Sequence, residues 1–254
     1  MKDVYFTLVV AALTATTLAT YGVHVVRRGS ARSERVERVG GSALLGRELV
    51  EMGYWAMSPL ARGCVALGIS PDGLTWFALV VGAGAGVALG FGWFGLACLL
   101  SLVCVVSDVL DGQVARLTDS SSDAGEVLDA SVDRYTELFY LGGLIVFYRE
   151  QAWLVILALA ALAASFMVSY ATAKAEALGV PPPRGPMRRH ERGAYLITGA
   201  GLTSFLAPTL AAHWPAVPPS LPEVVALAVI ALAGNYSAVL RLSRTARALR
   251  ERAR

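Results

Sequence analysis

The sequence predicts an all-α, polytopic integral membrane protein: a six-transmembrane-helix core, one extra N-terminal transmembrane helix and an interfacial amphipathic helix. Three observations carry this. The 254 residues are 56% hydrophobic and only 16% charged, where a soluble domain carries about a quarter charged residues. The mean hydropathy is +0.56. Several apolar runs reach the roughly 20 residues that cross a bilayer, and they leave no room for a separate soluble domain.

The first apolar run covers roughly 4–26. Its positive residues, Arg27 and Arg28, follow it rather than precede it, and no A-x-A cleavage site is present. It therefore reads as a retained anchor with its N-terminus outside, not as a signal peptide. Residues 27–41 form a basic linker. Leu45, Leu49, Met52, Ala56 and Leu60 then recur every three or four residues, with Arg47, Glu48 and Glu51 off that stripe. This is an amphipathic helix at the interface, although a core-facing helix would share the pattern. The break at 68–72 ends it. Core spans follow at about 74–92, 95–115, 123–148, 152–177, 193–211 and 222–241, with Pro208, Pro215, Pro218, Pro219 and Pro222 marking the last turn.

Charge tests this count. Net charge is only +3, but arginines concentrate at 27–38, 184–192 and 241–254. One anchor plus six crossings puts all three clusters on one side, as the positive-inside rule requires, and leaves Arg149 as the only arginine in the opposite turns. The expected organisation is an anchor and linker over 1–41, a membrane domain over 42–242 and a basic cytoplasmic tail over 243–254. Beside membrane spans such clusters indicate anionic lipid rather than nucleic acid, and the arginines of the tail, with Arg241, read as a headgroup contact. Cys64, Cys98 and Cys104 lack metal-type spacing and read as packing residues.

Residues 108–133 carry the chemistry. Asp108 and Asp111 are i, i+3, and Asp129 and Asp133 are i, i+4, so each pair shares a helix face. Carboxylates at bilayer depth mark a functional site, and two such faces opposed make an all-oxygen nest for a hard cation such as magnesium. Gly112, Ala115 and Gly125 keep the lining small, and Arg116 adds a fixed cation for a phosphate. Asp123 reads as the cap of the next helix, and Ser120, Ser121 and Ser122 as a solvated turn.

The arrangement D-x2-D-G-x2-A-R-x8-G-x3-D-x3-D, filled by Asp108, Asp111, Gly112, Ala115, Arg116, Gly125, Asp129 and Asp133, resembles the signature of the CDP-alcohol phosphotransferases at every specified position. Eight residue types at fixed spacing are far more specific than a short motif. The stretch at 69–75 is similar to the I-S-P-N-x-L-T segment of many members, with Asp72 in place of Asn, and is read only as helix entry. The resemblance covers roughly 42–242. It implies transfer of a substituted phosphate from a CDP-linked lipid, CDP-diacylglycerol, to an alcohol, with release of CMP. Asp108, Asp111 and Asp129 would ligate metal, two Mg2+ ions with Mn2+ as a substitute. Asp133 would take the acceptor's proton and touch the second metal. Gly112, Ala115, Arg116 and Gly125 would receive the donor. Homodimerisation is implied by the family alone; the expected location is a bacterial cell membrane, with the site facing the cytoplasm as the arginine clusters indicate.

The acceptor is read from two further stretches. Ser169-Tyr170-x-x-Ala173-Lys174-Ala175-Glu176-x-x-Gly179 and Arg188-Arg189-His190-Glu191-Arg192 resemble the phosphatidylinositol-phosphate synthase branch. Lys174, Arg189 and Arg192 match basic positions that bind the acceptor's phosphate in that branch, and Arg188 adds a neighbour. Thr172 departs from the pattern, which usually has a base there. His190 reads as a surface histidine, and Glu191 as the partner of an arginine. The expected acceptor is a phosphorylated polyol, first inositol 1-phosphate and second glycerol 3-phosphate, the acceptor of a phosphatidylglycerophosphate synthase. From another class, a divalent-cation or small-solute transporter would need polar residues continuing through the bilayer, and the later spans are plainly apolar. An inactive scaffold would be expected to have lost an aspartate.

Overall fold

The computed structural model describes residues 2–29, 46–183 and 185–252, and these form eight helices. They are α1 (Lys2–Arg28), α2 (Gly46–Ala66), α3 (Pro71–Gly90), α4 (Phe94–Leu117), α5 (Asp123–Phe147), α6 (Ala152–Ala177), α7 (Arg189–His213) and α8 (Leu221–Arg252). Of the predicted linker, Arg27 and Arg28 belong to the last turn of α1 instead, and residues 30–41, like Leu45, lie outside the described residues. All but α2 and α5 are long and apolar enough to cross a membrane.

The exception α5 is the third of the predicted core spans. It carries Asp123, Glu126, Asp129, Asp133, Arg134 and Glu137, which lowers its hydropathy, yet it packs along the whole of α3. The contact is backbone to backbone: a Cβ on Gly86 would run into the carbonyl group of Phe139, and one on Gly143 into Gly86 itself. Small residues let two membrane helices approach this closely. Around that pair, α4 packs on α3, α1, α2 and α7, while α6 packs on α5 and α8. One core runs through the bundle, from Leu89 and Leu141 to Leu154, Leu227 and Ile230.

The structure decides what α2 does. Leu49 and Leu60, on the predicted stripe, are exposed, while Ala61 packs with Leu74, Leu110 and Val114, supported by Met57 and Cys64. Met52 and Ala56, also on the stripe, are half-buried, and Glu51, off it, is buried, so the stripe is neither wholly outward nor wholly in the core. The anchor α1 is bound more closely than its apolarity suggests. Asp3 accepts hydrogen bonds from the backbone N–H groups of Gly95 (2.7 Å) and Leu96 (3.0 Å), capping α4 from another helix, since the cap residue Trp93 provides no side-chain bond. Thr7 and Ser204 hydroxyls lie 2.6 Å apart. At the other end Tyr21 and His24 pack on Trp55 of α2 at 5.4 and 5.1 Å.

One expectation is corrected. The cap of α5 is Ser122, whose Oγ accepts from Gly125 N at 3.1 Å, so Asp123 is the first helical residue instead. The basic tail is helical, since α8 runs unbroken to Arg252, about 48 Å at 1.5 Å per residue. Arg252 donates to the carbonyl of Gly179 at 2.7 Å, closing the end of α6. Of the cysteines, only Cys98 is fully buried; Cys64 and Cys104 are half-buried.

Candidate active site

Helix period and one tight turn assemble the acidic cluster. The last turns of α4 carry Asp108, Asp111, Gly112, Ala115 and Arg116. The first turns of α5 carry Gly125, Asp129 and Asp133. Between them Asp119 takes a left-handed φ of 49°, which aspartate tolerates better than most residues. Ser120 N then donates back to Ala115 O at 2.9 Å, a Schellman closure that turns the chain within six residues. The result brings carboxylate oxygens of Asp108, Asp111 and Asp129 within 4.8 Å of one another. Three converging carboxylates suit a hard divalent cation. Thr75, from the start of α3, donates its hydroxyl to Asp111 Oδ2 at 2.6 Å and fixes that carboxylate's orientation. The helix-entry reading of 69–75 missed this; its signal was a threonine at the end of the motif-like stretch.

Asp133 stands apart from those three. It is 6% exposed and ion-paired with Arg189 through Oδ1, while Arg134 lies 3.8 Å from Oδ2. Arg189 Nη2 also donates to Asp108 Oδ1 at 3.0 Å. On the other side, Arg134 Nη1 donates to Glu137 Oε2 at 3.0 Å and to Ser169 Oγ. Glu137 Oε1 in turn accepts from Arg192 Nε (3.0 Å) and Nη2 (2.6 Å). The side chains thus alternate in sign across three helices: Asp108, Arg189, Asp133, Arg134, Glu137, Arg192. Each buried charge has an opposite neighbour, which is what makes burial tolerable. Sequence reasoning missed Glu137, although it falls four residues after Asp133 on the same face of α5.

The basic wall comes from the first turn of α7. Arg188 is its cap residue, and its N–H donates to Glu191 Oε2 at 2.9 Å. Met187, just before, is buried with φ at 61°, a strained conformation for such a side chain. Its carbonyl accepts from Arg192 Nη1 at 3.3 Å. Arg192 is therefore fully occupied. Arg189 is half-exposed and His190 exposed, as a surface histidine would be. Lys174 is exposed near the end of α6, and Arg116 is exposed at the last turn of α4. Neither joins the alternating row.

One arginine is corrected outright. Arg241, expected at the lipid headgroups, is 7% exposed. Its Nη1 donates to Thr172 Oγ1 at 2.9 Å, its Nε to Ser237 Oγ at 3.3 Å and its Nη2 to Gly185 O at 3.4 Å. Every one of those partners is neutral. It also feels the positive charges of Arg192 and Arg188 against the negative charge of Glu191. A buried guanidinium with neutral partners, set among other arginines, draws an anion. Thr172, which left the acceptor pattern without its base, is the residue that holds this arginine.

Comparison with known proteins follows the same lines. The pattern of the CDP-alcohol phosphatidyltransferases matches residues 68–235. A phosphatidylinositol phosphate synthase of Mycobacterium marinum is 35% identical over 181 residues, covering 68% of this chain and 73% of that protein. One from Mycobacterium tuberculosis is 36% identical over 156 residues, covering 58% and 70%. The crystal structure of the M. tuberculosis phosphatidylinositol phosphate synthase with CDP-DAG bound superposes with a TM-score of 0.64 at 29% identity, over 74% of this chain and 92% of that one. The same enzyme in complex with manganese and citrate gives 0.65 at 28%, over 74% and 88%.

Proposed function

This chain belongs to the CDP-alcohol phosphatidyltransferase family, and on that premise we propose that it transfers the phosphatidyl group of CDP-diacylglycerol to a hydroxyl of inositol 1-phosphate, releasing CMP. The observation that carries the acceptor is an arginine wall, Arg188, Arg189 and Arg241, that reaches the three converging carboxylates through the bond from Arg189 to Asp108. An acceptor that already bears a phosphate meets that wall while its hydroxyl faces the acidic side. The names of the relatives and the ligand in the related structure support the same reading.

In the proposed reaction the acceptor's hydroxyl oxygen bonds to the phosphorus that carries diacylglycerol. The bond from that phosphorus to the CMP oxygen breaks, and CMP leaves. Asp133 receives the hydroxyl proton. Asp108, Asp111 and Asp129 hold a divalent cation, Mg2+ with Mn2+ as substitute, and a second ion would draw on Asp133. The chemistry an ion held there would supply is neutralisation of pyrophosphate charge and stabilisation of the leaving oxygen. Thr75 keeps Asp111 aimed at it. Gly112, Ala115 and Gly125 present a small-residue surface to the donor, and Arg116 a cation to one of its phosphates. Lys174, exposed on α6, and Arg192, through the row it anchors, complete the basic side. The arginine asymmetry supports a cytoplasmic site, with Arg244, Arg247 and Arg250 meeting anionic lipid. A homodimer belongs to the same family reading.

A turnover assay tests this. Purified protein with CDP-diacylglycerol and Mg2+ is offered inositol 1-phosphate, glycerol 3-phosphate, free inositol and serine separately. Lipid product and CMP are expected with inositol 1-phosphate, and loss of both on chelation. Product with glycerol 3-phosphate alone would overturn the acceptor. No CMP with any acceptor, and no difference from Asp133→Asn, would overturn the transferase reading.

A further inference from the structure

Arg189 draws on the carboxylates that a metal would also use. Its Nη2 donates to Asp108 Oδ1 at 3.0 Å and pairs with Asp133 Oδ1. Asp108 is in turn one of the three carboxylates that converge as a cation site. A guanidinium on Asp108 and a divalent cation at the cluster therefore compete for one negative group. Arg189 is also placed to move. Its side chain is 38% exposed, whereas Arg192, three residues on, is 1% exposed and fixed by Glu137 and the Met187 carbonyl. A half-exposed arginine on a flexible stem at a helix start can turn from one anion to another at small cost.

We propose that Arg189 is an exchange cation that couples the metal site to the acceptor site. It bridges Asp108 and Asp133 while the acceptor pocket holds no anion. When Asp108 turns to a divalent cation, Arg189 turns to the acceptor's phosphate. Leaving Asp133 Oδ1 uncovers the oxygen that takes the acceptor's proton, so the base becomes available as the acceptor arrives. Metal and phosphorylated acceptor then favour one another, and by linkage the effect is mutual. This rests on the metal-dependent transferase reading above. Its rival is a static bridge, in which Arg189 holds Asp108 in place and its loss loosens the metal site. The two predict opposite signs.

The measurement is Mn2+ binding to the full-length protein in detergent, followed by electron paramagnetic resonance, with and without inositol 1-phosphate. Arg189→Gln should bind Mn2+ about tenfold more tightly than the parent, within the usual range of coupling between two sites. Inositol 1-phosphate should tighten Mn2+ binding by a similar factor in the parent and not in Arg189→Gln. Arg188→Gln, which removes the same charge from the neighbouring residue, should shift Mn2+ affinity far less. Arg189→Lys keeps the charge and loses the fork across two carboxylates; it should move in the same direction by a smaller factor, and it carries the test where Arg189→Gln does not fold. Unchanged or weaker Mn2+ binding in both Arg189 variants would overturn the exchange, as would an acceptor effect that survives in them. No Mn2+ binding by the parent, or binding by Asp111→Asn equal to the parent's, would overturn the metal site itself and the exchange with it.

Discussion

The acidic cluster and the basic wall face one another, carry opposite charge and are built in opposite ways. Asp108, Asp111 and Asp129 come from two helices joined by one short turn, within 22 consecutive residues. Their convergence follows mainly from helix period and the Asp119 turn, with Thr75 aiming Asp111. The arginines come from distant stretches: Arg134 on α5, Arg189 and Arg192 on α7, Arg241 on α8. Each is placed by a partner on another helix. The lesson concerns what substitution should do. A carboxylate of the cluster is held by local backbone and can be removed with little loss of fold. A wall arginine is held by tertiary contacts, so its removal tests folding and binding together.

The sharpest way to break this comparison is to neutralise the two sides separately. Asp111→Asn should lower kcat/KM on the order of 10³-fold, since a metal supplies several kcal/mol of charge stabilisation. Its melting temperature should stay near the parent's, and a large thermal shift would contradict local placement of the cluster. Arg192→Ala should behave the other way, unfolding at much lower temperature with a loss of about 3–5 kcal/mol, because Glu137 is left buried without its main cation. Replacing Glu137 and Arg192 together by apolar residues should recover much of that stability; failure to recover would show that Arg192 acts beyond the pair.

Arg241 sharpens the contrast within the wall. With neutral hydrogen-bond partners only among the described residues, it should matter more to ligand than to fold. Arg241→Gln should raise KM for the phosphorylated acceptor about 10- to 100-fold, the equivalent of a charged hydrogen bond, with KM for CDP-diacylglycerol unchanged. An equal rise in both would place Arg241 outside the acceptor pocket. Thr75→Val removes the hydroxyl that aims Asp111 and should weaken Mn2+ binding about tenfold, at the low end of losses for such supporting groups. The smallest effect belongs to the far end of the bundle. Asp3→Ala removes the cap of α4 and should cost about 1 kcal/mol of stability, seen as a lower melting temperature, with both KM values unmoved.

The extent of what the sequence revealed follows the same division. Six of the crossings were readable because apolar runs of that length have few other fates, and the seventh, α5, because the motif demanded a helix there despite its charges. The cap of that helix was misread by one residue, since Ser122 and Asp123 are both good caps and only the backbone shows which N–H group each side chain reaches. Arg241 was assigned to lipid because five other arginines follow it, and nothing in their spacing shows that the first of them turns inward onto Thr172. The apolar stripe of α2 was read as interfacial although a core-facing helix would share its pattern, and the structure divides it, with Leu49 and Leu60 exposed and Met52 and Ala56 half-buried.

The sequence by itself determined the membrane class, the apolar runs long enough to cross, and an acidic site at the end of two helices, because length, hydropathy and helical period are properties of a short stretch. Only the tertiary structure decided which charges neutralise which, how α1 is fastened to α4 through Asp3, that Thr75 supports Asp111, and that Asp133 rests against Arg189 instead of joining the other three carboxylates. A buried charge is tolerated only where an opposite group or hydrogen-bonding partners lie within a few ångströms, and those distances are fixed by packing between helices far apart in the chain.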